Sequence, residues 1–519
     1  MSPSENELKK VAKTVGAIDI GANALRMVIA EVSPAGGIET LERLQRPVRL
    51  GQDTFRRGRL GGESMRAAVN VLRDYKQRLD LYDVKLIRMV ATTSVRNASN
   101  ADMFIDHVFM ATGLHLDVID PAEESRLTVS AVRRAVVGAL GIDRNEALIV
   151  EVGGGSTLLT VLQSGEIVTS QSLQLGSILL KEALSTSEEP PERTADLLRH
   201  HITNSLGTVR SSLPLDQVQS FIAIGGDVRF VARHVGKPTE SADLVMVEAG
   251  EFDRFVDRCE QYTAEGLSKR YGLSFAEAET LNPALLVYQI LLHKCLADSM
   301  IVSHVSMRDG LLLDMAREVT GGEDEALLAG VIHSALSIAE KYRVDTDHAQ
   351  NVAELSVRLF DELESDHGLS SRYRLLLRIA ALLHEVGSFV SDRAHHKHSY
   401  YLIVNSEIFG LNRQETEMVA QVARYHRRSV PKASHSAYVA LPRETRVAVT
   451  KLSALLRVAD ALVRGGTGNV ADFHFARERD DLIVYVPGGS DLLLQQRGIA
   501  ARGDLFEDVY GMKIRLEDM

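Results

Sequence analysis

The sequence contains few of the residues that stabilise secreted proteins or cross membranes. Its 519 residues include two cysteines, Cys259 and Cys295, and no tryptophan. Two cysteines cannot build a disulfide framework, so a reducing compartment, the cytoplasm, is expected. The most apolar long window, residues 284–303, is interrupted by charged and polar residues, which predicts a buried helix and no membrane span. Residues 2–13 are charged and lack an apolar core, so no secretory signal is predicted.

Basic residues are not in excess either. Lys and Arg number 59 against 70 Asp and Glu, and the formal net charge is −11. Because general nucleic-acid binding requires a basic surface, no nucleic-acid partner is predicted, and no membrane partner is predicted. The length is sufficient for three or four domains, each with its own core.

A glycine-rich stretch at residues 148–157 is the most informative part of the chain. An apolar segment ends at Glu151, and Gly153, Gly154, Gly155 and Ser156 precede a second apolar run. This pattern predicts two strands joined by a tight turn. Glycines at such a tip allow backbone N–H groups to approach an anionic oxygen, as in phosphate-binding nests.

A similar pattern occurs earlier, at residues 15–32. An apolar segment leads to Asp19, Gly21 and Asn23, and a second apolar run follows. Two copies of one device predict two related lobes, each offering a phosphate loop to a shared cleft. A third apolar segment ends in Gly225 and Gly226, which predicts either a further ligand contact or an ordinary turn.

Three charged groups between these patterns are candidates for chemistry. Arg96 follows a predicted strand at 86–91, and ligands of α/β sheets bind beyond the carboxyl ends of strands. A structural salt bridge is the alternative for Arg96. Glu123 and Glu124 begin a predicted helix, where acidic residues either favour the helix dipole or place a general base at the cleft. Residues 42–66 contain seven arginines, which predict either a solvated loop or a track for a polyanion.

The chain beyond residues 320–325 has mainly helical patterns up to Arg464. Several histidines and carboxylates occur along these helices, and they either pack and hydrogen-bond or ligate a divalent metal: His348, His384, Glu385, His395, His396, His398, His426 and Asp460. A basic, His-rich set in the same region predicts a surface that carries the tail of a long polyanion: Arg393, His396, His398, Arg427 and Arg428. Short apolar strands after residue 470 predict a small α/β domain.

Four motifs occur in a fixed order: Asp-Ile-Gly-Ala-Asn-Ala-Leu-Arg at 19–26, Ala-Thr-Thr-Ser-Val-Arg at 91–96, Glu-Glu-Ser-Arg-Leu at 123–127 and Val-Gly-Gly-Gly-Ser-Thr at 152–157. Together they resemble the exopolyphosphatase / guanosine pentaphosphate phosphohydrolase family of the actin-like, sugar-kinase and Hsp70 superfamily. The resemblance covers nearly the whole chain. It implies an α/β actin-like (ribonuclease H-like) module of two lobes, residues 1–135 and 136–320. An all-α HD-like domain at 321–470 and a small α/β domain at 471–519 complete the expected fold.

The resemblance also implies an activity. The expected reaction is release of the terminal phosphate from inorganic polyphosphate, or of the 5′-terminal phosphate from guanosine pentaphosphate. Glu124 matches the family's water-activating base, and Arg96 matches an arginine that faces the cleft. Asp19 and Glu151 are expected to hold hydrated Mg²⁺ or Mn²⁺. A homodimer is expected. The predicted phosphate ligands are Asn23, Arg26, Gly153, Gly154, Gly155, Ser156, Gly225 and Gly226.

The sequence departs from the family pattern at several positions. Glu151 stands where the family has Asp, and one more methylene moves the carboxylate about 1.5 Å further out. Ala22 and Ala24 stand where the family has serines, so two hydroxyl donors are missing. Glu385 replaces the Asp of the HD pattern, and the family is not known to depend on metal there. Two alternatives therefore remain: a polyphosphate- or nucleotide-binding regulator with little turnover, and a kinase that uses the same fold.

Overall fold

A computed structural model describes residues 12–136, 146–184, 190–209, 213–241, 243–321, 325–427, 429–464, 470–486 and 492–518. The chain divides into two compact units, residues 1–327 and 328–519. Most of the N-terminal segment 2–13, part of the predicted boundary at 320–325, and Arg428 lie outside the described residues. The predicted division into four domains stays a prediction.

The first half of unit 1 is an antiparallel meander followed by helices and parallel strands. Its elements are β1 (Lys13–Ile20), β2 (Ala24–Val32), β3 (Ile38–Pro47), α1 (Leu50–Arg57), α2 (Gly62–Leu81), β4 (Leu86–Ala91), α3 (Thr93–Arg96), α4 (Ala101–Thr112), β5 (Asp117–Val118) and α5 (Pro121–Val136). The strand order is β3-β2-β1-β4-β5. β1 is antiparallel to β2 and parallel to β4. β1 and β2 are almost continuously apolar because both faces of the sheet are covered.

The second half of unit 1 builds a larger sheet. Its elements are β6 (Ala147–Val152), β7 (Thr157–Gln163), β8 (Glu166–Leu173), α6 (Ser177–Leu184), α7 (Pro191–Val209), a 3₁₀ turn (Leu215–Gln217), β9 (Ser220–Ile224), α8 (Gly226–Val235), β10 (Lys237–Pro238), β11 (Leu244–Glu248), α9 (Ala249–Glu260), α10 (Ala264–Tyr271), α11 (Phe275–Leu292), β12 (Ser299–Ser303) and α12 (Met307–Thr320). The strand order is β10-β11-β12-β9-β6-β7-β8.

The two sheets repeat one topology. The order β8-β7-β6-β9-β12 in the second sheet corresponds to β3-β2-β1-β4-β5 in the first. In both sheets three antiparallel strands come first, and two strands parallel to the first strand follow. The repeat confirms the predicted two-lobed α/β fold.

The last helix of unit 1 packs on the first sheet. Met307, Leu311 and Met315 of α12 share a core with Val15 and Ala17 of β1. α12 also lies close to α5, since a Cβ added to Gly310 would be 2.1 Å from the backbone oxygen of Leu127. The chain therefore returns to the first lobe after forming the second sheet.

The apolar window at 284–303 is not one helix. α11 ends at Leu292, and β12 begins at Ser299. The polar residues at 293–298 separate the two elements, and Met300 and Val302 are buried within the sheet. Among the helices in the described ranges, none is long and apolar enough to span a membrane.

Unit 2 is mainly helical and ends in a small sheet. Its elements are α13 (Glu325–Lys341), α14 (Thr346–Glu362), α15 (Glu364–His367), α16 (Ser371–Leu383), a 3₁₀ turn (Val386–Phe389), α17 (His395–Val404), α18 (Arg413–Arg424), α19 (Ser436–Val439), α20 (Arg443–Val463), a second 3₁₀ turn (Val470–Asp472), β13 (His474–Glu478), β14 (Asp481–Val486), α21 (Leu493–Arg502), α22 (Asp504–Tyr510) and β15 (Lys513–Asp518). β14 lies between β13 and β15 and is parallel to β15. This arrangement confirms the predicted helical region with a terminal α/β part.

Candidate active site

The tips of two β-hairpins, one from each sheet, meet in unit 1. Residues 21–23 connect β1 to β2, and residues 153–156 connect β6 to β7. A Cβ added to Gly154 would lie 2.8 Å from the Cβ of Ala22 and 2.9 Å from Cδ1 of Ile178. Gly154 therefore has no space for a side chain, and the two tips are in direct contact.

In the second tip, backbone carbonyl groups are hydrogen-bonded to the described residues, whereas two backbone N–H groups are not. The carbonyls of Gly153 and Gly154 accept hydrogen bonds of 2.9 Å from the N–H groups of Ser177 and Ile178, at the start of α6. In the described part of the chain, no protein atom accepts a hydrogen bond from the N–H of Gly154 or Gly155. Adjacent unpaired N–H groups of this kind form an anion-binding nest.

A cleft of about 670 Å³ opens beside the two tips, a size typical of ligand sites. Both sheets contribute to its lining. Most of the residues predicted from the sequence line it: Asp19, Asn23, Arg26, Glu124, Glu151, Gly153, Gly154, Gly155, Ser156, Gly225 and Gly226. Arg96 is not among the lining residues. The seven-arginine segment forms parts of β3, α1 and α2 and is not a loop.

Four arginines line the cleft: Arg26 on β2, Arg229 and Arg233 on α8, and Arg308 on α12. Burial lowers the pKa of Arg229 and of Arg308, and neighbouring guanidinium groups act in the same direction. Clustered, desolvated cations are offset best by a bound anion that accepts several charge-assisted hydrogen bonds. No sequence pattern had indicated Arg229 or Arg308. Both follow the carboxyl ends of strands, β9 and β12, which is the criterion that had singled out Arg96.

Asp19 and Glu151 occupy equivalent positions near the ends of β1 and β6. Asp19 Oδ2 accepts a hydrogen bond of 2.9 Å from Arg308 Nη1 and lies 3.5 Å from Arg26 Nη1. Glu151 Oε2 accepts a hydrogen bond of 2.8 Å from Thr128 Oγ1, and burial raises the pKa of Glu151. Asp19 is thus already neutralised by arginine, whereas the only hydrogen bond that Glu151 accepts from a side chain among the described residues comes from a hydroxyl.

The cleft carboxylates fit a hydrated cation better than a fully protein-coordinated one. Across the described residues, no three metal-ligating side chains of the cleft have ligand atoms within 4.8 Å of one another. Mg²⁺ usually binds one or two carboxylates and completes its shell with water and phosphate oxygens. Glu151 and Asp19 match that donor set.

Glu124, in the first turn of α5, has the properties of a general base. Its Oε2 is buried and accepts no hydrogen bond from the residues that the structure describes, and the side chain is 15 % exposed. Burial raises the pKa of Glu124 to about 8, although Arg96 Nη1, 3.6 Å from Oε2, opposes the shift. A carboxylate with a pKa near the working pH and an unused oxygen is suited to accept a proton from water.

Arg96 contacts Glu124 and is itself held by two hydrogen bonds. Its Nη1 donates a 2.6 Å hydrogen bond to the carbonyl of Ile119, and its Nη2 donates a 2.9 Å bond to Thr93 Oγ1. Thr93 Oγ1 in turn lies 3.2 Å from Ser156 Oγ in the glycine tip. Arg96 was expected to face the cleft, but it is not among the lining residues, and its guanidinium contacts Glu124, Ile119 and Thr93.

Glu123 is committed to another contact. Both of its oxygens accept hydrogen bonds of 2.7 Å from Arg126, which also pairs with Asp314. The two adjacent glutamates of α5 thus have separate tasks, and Glu124 is the one available to the cleft.

Tyr288 of α11 fixes the strand ends beneath the cleft. Its hydroxyl donates to the carbonyl of Ile224 and accepts a 3.1 Å hydrogen bond from the N–H of Val152. A Cβ added to Gly225, whose φ is +135°, would lie 2.8 Å from the Tyr288 hydroxyl. No sequence pattern singled out Tyr288, because a tyrosine in an apolar helix reads as core.

The chain matches the model of the Ppx/GppA phosphatase family over residues 28–319. It matches domain III of that family over residues 332–484. The chain belongs to the Ppx/GppA phosphatase family. Proteins of this family are phosphoanhydride hydrolases that generally depend on a divalent metal, so the enzyme class predicted from the sequence is confirmed.

Individual Ppx/GppA relatives match most of the chain. It is 24% identical over 477 residues to a guanosine-5′-triphosphate,3′-diphosphate pyrophosphatase of Aliivibrio fischeri, covering 90% of each chain. The Ppx/GppA family member of Aquifex aeolicus is 24% identical, with a TM-score of 0.50, over 59% of this chain and 99% of that chain. An exopolyphosphatase of Cytophaga hutchinsonii is 21% identical, with a TM-score of 0.54, over 60% of this chain and 100% of that chain. These structures share the fold of the Ppx/GppA chain.

The helical part matched by Ppx/GppA domain III contains a cluster of candidate metal ligands. Ligand atoms of His348, His384, Glu385 and Asp460 all lie within 4.8 Å of one another. Two arginines already engage Asp460: Arg464 Nε donates to Oδ1 at 2.9 Å, and Arg502 pairs with Oδ2. The buried carboxylate is thereby compensated within the protein, and metal binding at this cluster stays an open alternative.

The predicted basic surface of the Ppx/GppA chain is only partly cationic. Arg393 is exposed and Arg427 is half-buried, and Arg428 lies outside the described residues. Burial lowers the pKa of His396 to about 4, and the neighbouring cations add to the effect. His396 is therefore neutral at pH 7, and the positive charge of this surface comes from arginine and lysine.

Proposed function

We propose that this Ppx/GppA phosphatase hydrolyses the 5′-terminal phosphoanhydride bond of guanosine pentaphosphate. The observation that carries the proposal is the cleft itself, in which two hairpin tips, four arginines and a glutamate whose Oε2 accepts no hydrogen bond from the described residues face one space. The near-full-length similarity to the A. fischeri guanosine-5′-triphosphate,3′-diphosphate pyrophosphatase favours this substrate.

The phosphate groups are held by backbone donors and arginines. The N–H groups of Gly154 and Gly155 and the hydroxyl of Ser156 surround the terminal phosphoryl group, and Asn23 contacts it from the first tip. Arg26 and Arg308 neutralise charge along the triphosphate. Phosphoryl transfer needs positioning and charge stabilisation more than covalent catalysis, and this lining supplies both.

Glu124 activates the attacking water. Its Oε2, which accepts no hydrogen bond from the described residues, accepts a proton while the water oxygen bonds to the terminal phosphorus, and the bond from that phosphorus to the bridging oxygen breaks. The products are orthophosphate and guanosine tetraphosphate. A Mg²⁺ or Mn²⁺ ion bound through Asp19 and Glu151 supplies charge neutralisation for the phosphate oxygens.

Inorganic polyphosphate is the second candidate substrate. The observation that favours it is the exposed or half-exposed set of cations in unit 2, including Arg393, Lys397 and Arg427. Guanosine pentaphosphate does not need such a surface, so the two substrates make different demands on unit 2.

The test compares phosphate release from guanosine pentaphosphate and from long-chain polyphosphate. With Mg²⁺, the wild type is expected to prefer guanosine pentaphosphate, and Glu124→Ala is expected to lose about 10²- to 10⁴-fold in kcat while retaining substrate binding. Glu123→Gln is the matched control, because Glu123 is paired with Arg126 and is expected to retain turnover.

Preference for polyphosphate would replace the substrate assignment. Near-normal turnover in Glu124→Ala would remove the base assignment. Tight binding of both substrates without phosphate release would indicate that the protein is a regulator that hydrolyses neither of them.

A further inference from the structure

The two carboxylates at the strand ends of the cleft are held in different ways. Asp19 on β1 and Glu151 on β6 occupy equivalent positions, but the side chain of Glu151 is one methylene longer. Asp19 Oδ2 lies 2.9 Å from Arg308 Nη1 and 3.5 Å from Arg26 Nη1, so arginines fix its orientation. Glu151 Oε2 instead accepts a hydrogen bond of 2.8 Å from the hydroxyl of Thr128.

Thr128 belongs to the same helix as the proposed base. It lies on α5, four residues after Glu124. Residues four apart lie on one face of an α-helix and are separated by about 6 Å along its axis. Thr128 is buried, with 2% exposure, and its Oγ1 is directed to Glu151. One helix therefore carries both the base and, one turn later, the hydroxyl that contacts the cation-binding carboxylate.

The backbone of Glu151 is fixed without the help of Thr128. Glu151 is paired within the sheet on both sides, with β7 and with β9. The N–H of the next residue, Val152, donates a 3.1 Å hydrogen bond to the hydroxyl of Tyr288. The position of the strand end thus depends on the sheet and on Tyr288. What Thr128 adds is the orientation of the carboxylate.

A glutamate carboxylate needs such a contact more than an aspartate does. The longer side chain has one more rotatable bond, so its carboxylate samples more orientations unless a hydrogen bond selects one. Hydrogen bonds to a ligating carboxylate orient it toward the cation. The bond from Thr128 offsets the extra freedom of Glu151 in this chain.

We propose that Thr128 is a positioning residue, whose hydroxyl holds the Glu151 carboxylate in a fixed orientation relative to Glu124. The inference rests on the proposed hydrolysis of guanosine pentaphosphate and deepens it, because it links the cation-binding group to the base through one helix. Thr128 is not among the residues that line the cleft, so its effect reaches the substrate through Glu151.

The test is a double-mutant cycle of Thr128→Val with Glu151→Asp. Valine keeps the branched shape of threonine and removes the hydroxyl. Mn²⁺ binding to the substrate-free protein is followed by electron paramagnetic resonance, and kcat and KM are measured with guanosine pentaphosphate. Thr128→Val is expected to lower the Mn²⁺ affinity and kcat roughly 10- to 100-fold each, the usual effect of removing the partner of a metal ligand. KM is expected to change less than kcat.

The double mutant shows whether Thr128 acts through Glu151. In Glu151→Asp the carboxylate ends about 1.5 Å short of its present position and no longer reaches the hydroxyl. Thr128→Val is therefore expected to cause no further loss in that protein. Such non-additivity identifies a direct interaction between two residues. Thr128→Ser keeps the hydroxyl and is expected to retain the Mn²⁺ affinity of the wild type.

Thr112→Val is the matched control. Thr112 is also a buried threonine of unit 1 and is not among the cleft-lining residues. Its Oγ1 donates to the carbonyl of Val108 at 2.7 Å and accepts from the N–H of Leu114 at 3.1 Å. Thr112→Val is expected to lower stability in chemical denaturation, while Mn²⁺ affinity and kcat stay unchanged.

The outcomes separate this inference from the proposed function. Additive losses in the double mutant overturn the positioning role, and so does Mn²⁺ affinity that is absent in the wild type or unchanged in Thr128→Val. A loss of the same size in Thr112→Val overturns it as well, since the loss would then reflect general destabilisation. Failure of the wild type to release phosphate from guanosine pentaphosphate rejects the proposed function, whereas the Mn²⁺ affinities of the cycle still decide the role of Thr128.

Discussion

Burial shifts the pKa values of several charged side chains that line the cleft. Glu124, Glu151 and Asp227 all have raised pKa values because desolvation disfavours the charged carboxylate. Arg229 and Arg308 have lowered pKa values for the same reason. Burial thus disfavours the charged forms of both the acidic and the basic side chains of the cleft.

The shifted pKa of Glu124 predicts the acid limb of the pH–rate profile. Glu124 acts as a base only when ionised, and its pKa is about 8, so kcat/KM is expected to fall as the pH drops through about 8. Arg96 lowers this pKa, so Arg96→Ala is expected to move the limb to higher pH. Profiles of both proteins check the assignment. A limb that stays in place in Arg96→Ala would show that another group controls it.

If Glu151 were a damaging replacement for the Asp of the family pattern, Glu151→Asp would raise activity. The structure predicts the opposite result. Its Oε2 reaches Thr128 Oγ1 at 2.8 Å, and an Asp would retract the carboxylate by about 1.5 Å and lose this bond. Glu151→Asp is therefore expected to lower the rate roughly a hundredfold, as a displacement of about 1 Å does in a catalytic group. Initial rates over Mg²⁺ and Mn²⁺ concentrations test this, with Thr128→Ser as the control that keeps the hydroxyl. A higher rate in Glu151→Asp than in the wild type would show that Glu151 lowers activity.

At the residue scale, local patterns indicated several of the residues that line the cleft. Apolar strands lead directly to Asp19, Glu151 and the glycines, whereas Glu124 was indicated by the start of a helix and by the family resemblance. Arg308 was missed because its partner Asp19 lies far away in the chain, and pairing across 289 residues leaves no local signal. Arg96 was found, but only the fold shows that its guanidinium contacts Glu124.

At the scale of elements, the hairpin tips depend on their glycines for space. A methyl group at Gly154 would overlap the Cβ of Ala22 and the side chain of Ile178. Gly154→Ala is expected to destabilise the protein by about 1–3 kcal/mol, the usual cost of overpacking, and to weaken phosphate binding. Chemical denaturation and binding of tripolyphosphate measure the two effects.

Gly207 provides the control for that substitution. It is an exposed helical glycine in α7 with open space around it, so Gly207→Ala is expected to stabilise the protein by about 0.5–1 kcal/mol. Phosphate binding is expected to be unchanged. Equal behaviour of the two variants would mean that the tips tolerate a side chain.

The elements themselves were largely predictable because their periodicities are strong. β4, β6, β9 and β14 lie where short apolar runs predicted strands. The window 284–303 was misread because a buried helix and a buried strand have the same composition, and only six residues separate α11 from β12. The pairing of β9 with β12 is set by the sheet and not by either segment alone.

At the scale of the whole molecule, charge is unevenly distributed. The net charge is −11, yet the phosphate end of the cleft and the surface around Arg393 and Arg427 are cationic. An acidic protein that acts on polyanions depends on such local patches. The homodimer expected from the sequence stays a prediction.

The contribution of unit 2 to substrate choice is testable with the exposed Arg393 and the half-buried Arg427. Arg393→Ala combined with Arg427→Ala is expected to weaken binding of long polyphosphate roughly 3- to 10-fold, as for two surface charge contacts. Guanosine pentaphosphate hydrolysis is expected to be unchanged. Arg374→Ala with Arg515→Ala removes the same charge from arginines already paired with carboxylates, and serves as the control. Equal losses of affinity for long and short polyphosphate chains would contradict a role of this surface in polyanion binding.

The contact between the two hairpin tips also constrains how this chain can evolve. Ala22 belongs to the first tip, Gly154 to the second and Gly51 to α1, yet a Cβ on either glycine would lie within 2.8 Å of the Ala22 Cβ. A larger residue at any one of these positions must therefore be accommodated by a change at another. We expect positions 22, 51 and 154 to covary among homologues, so that a larger residue at one position occurs together with a compensating change at another.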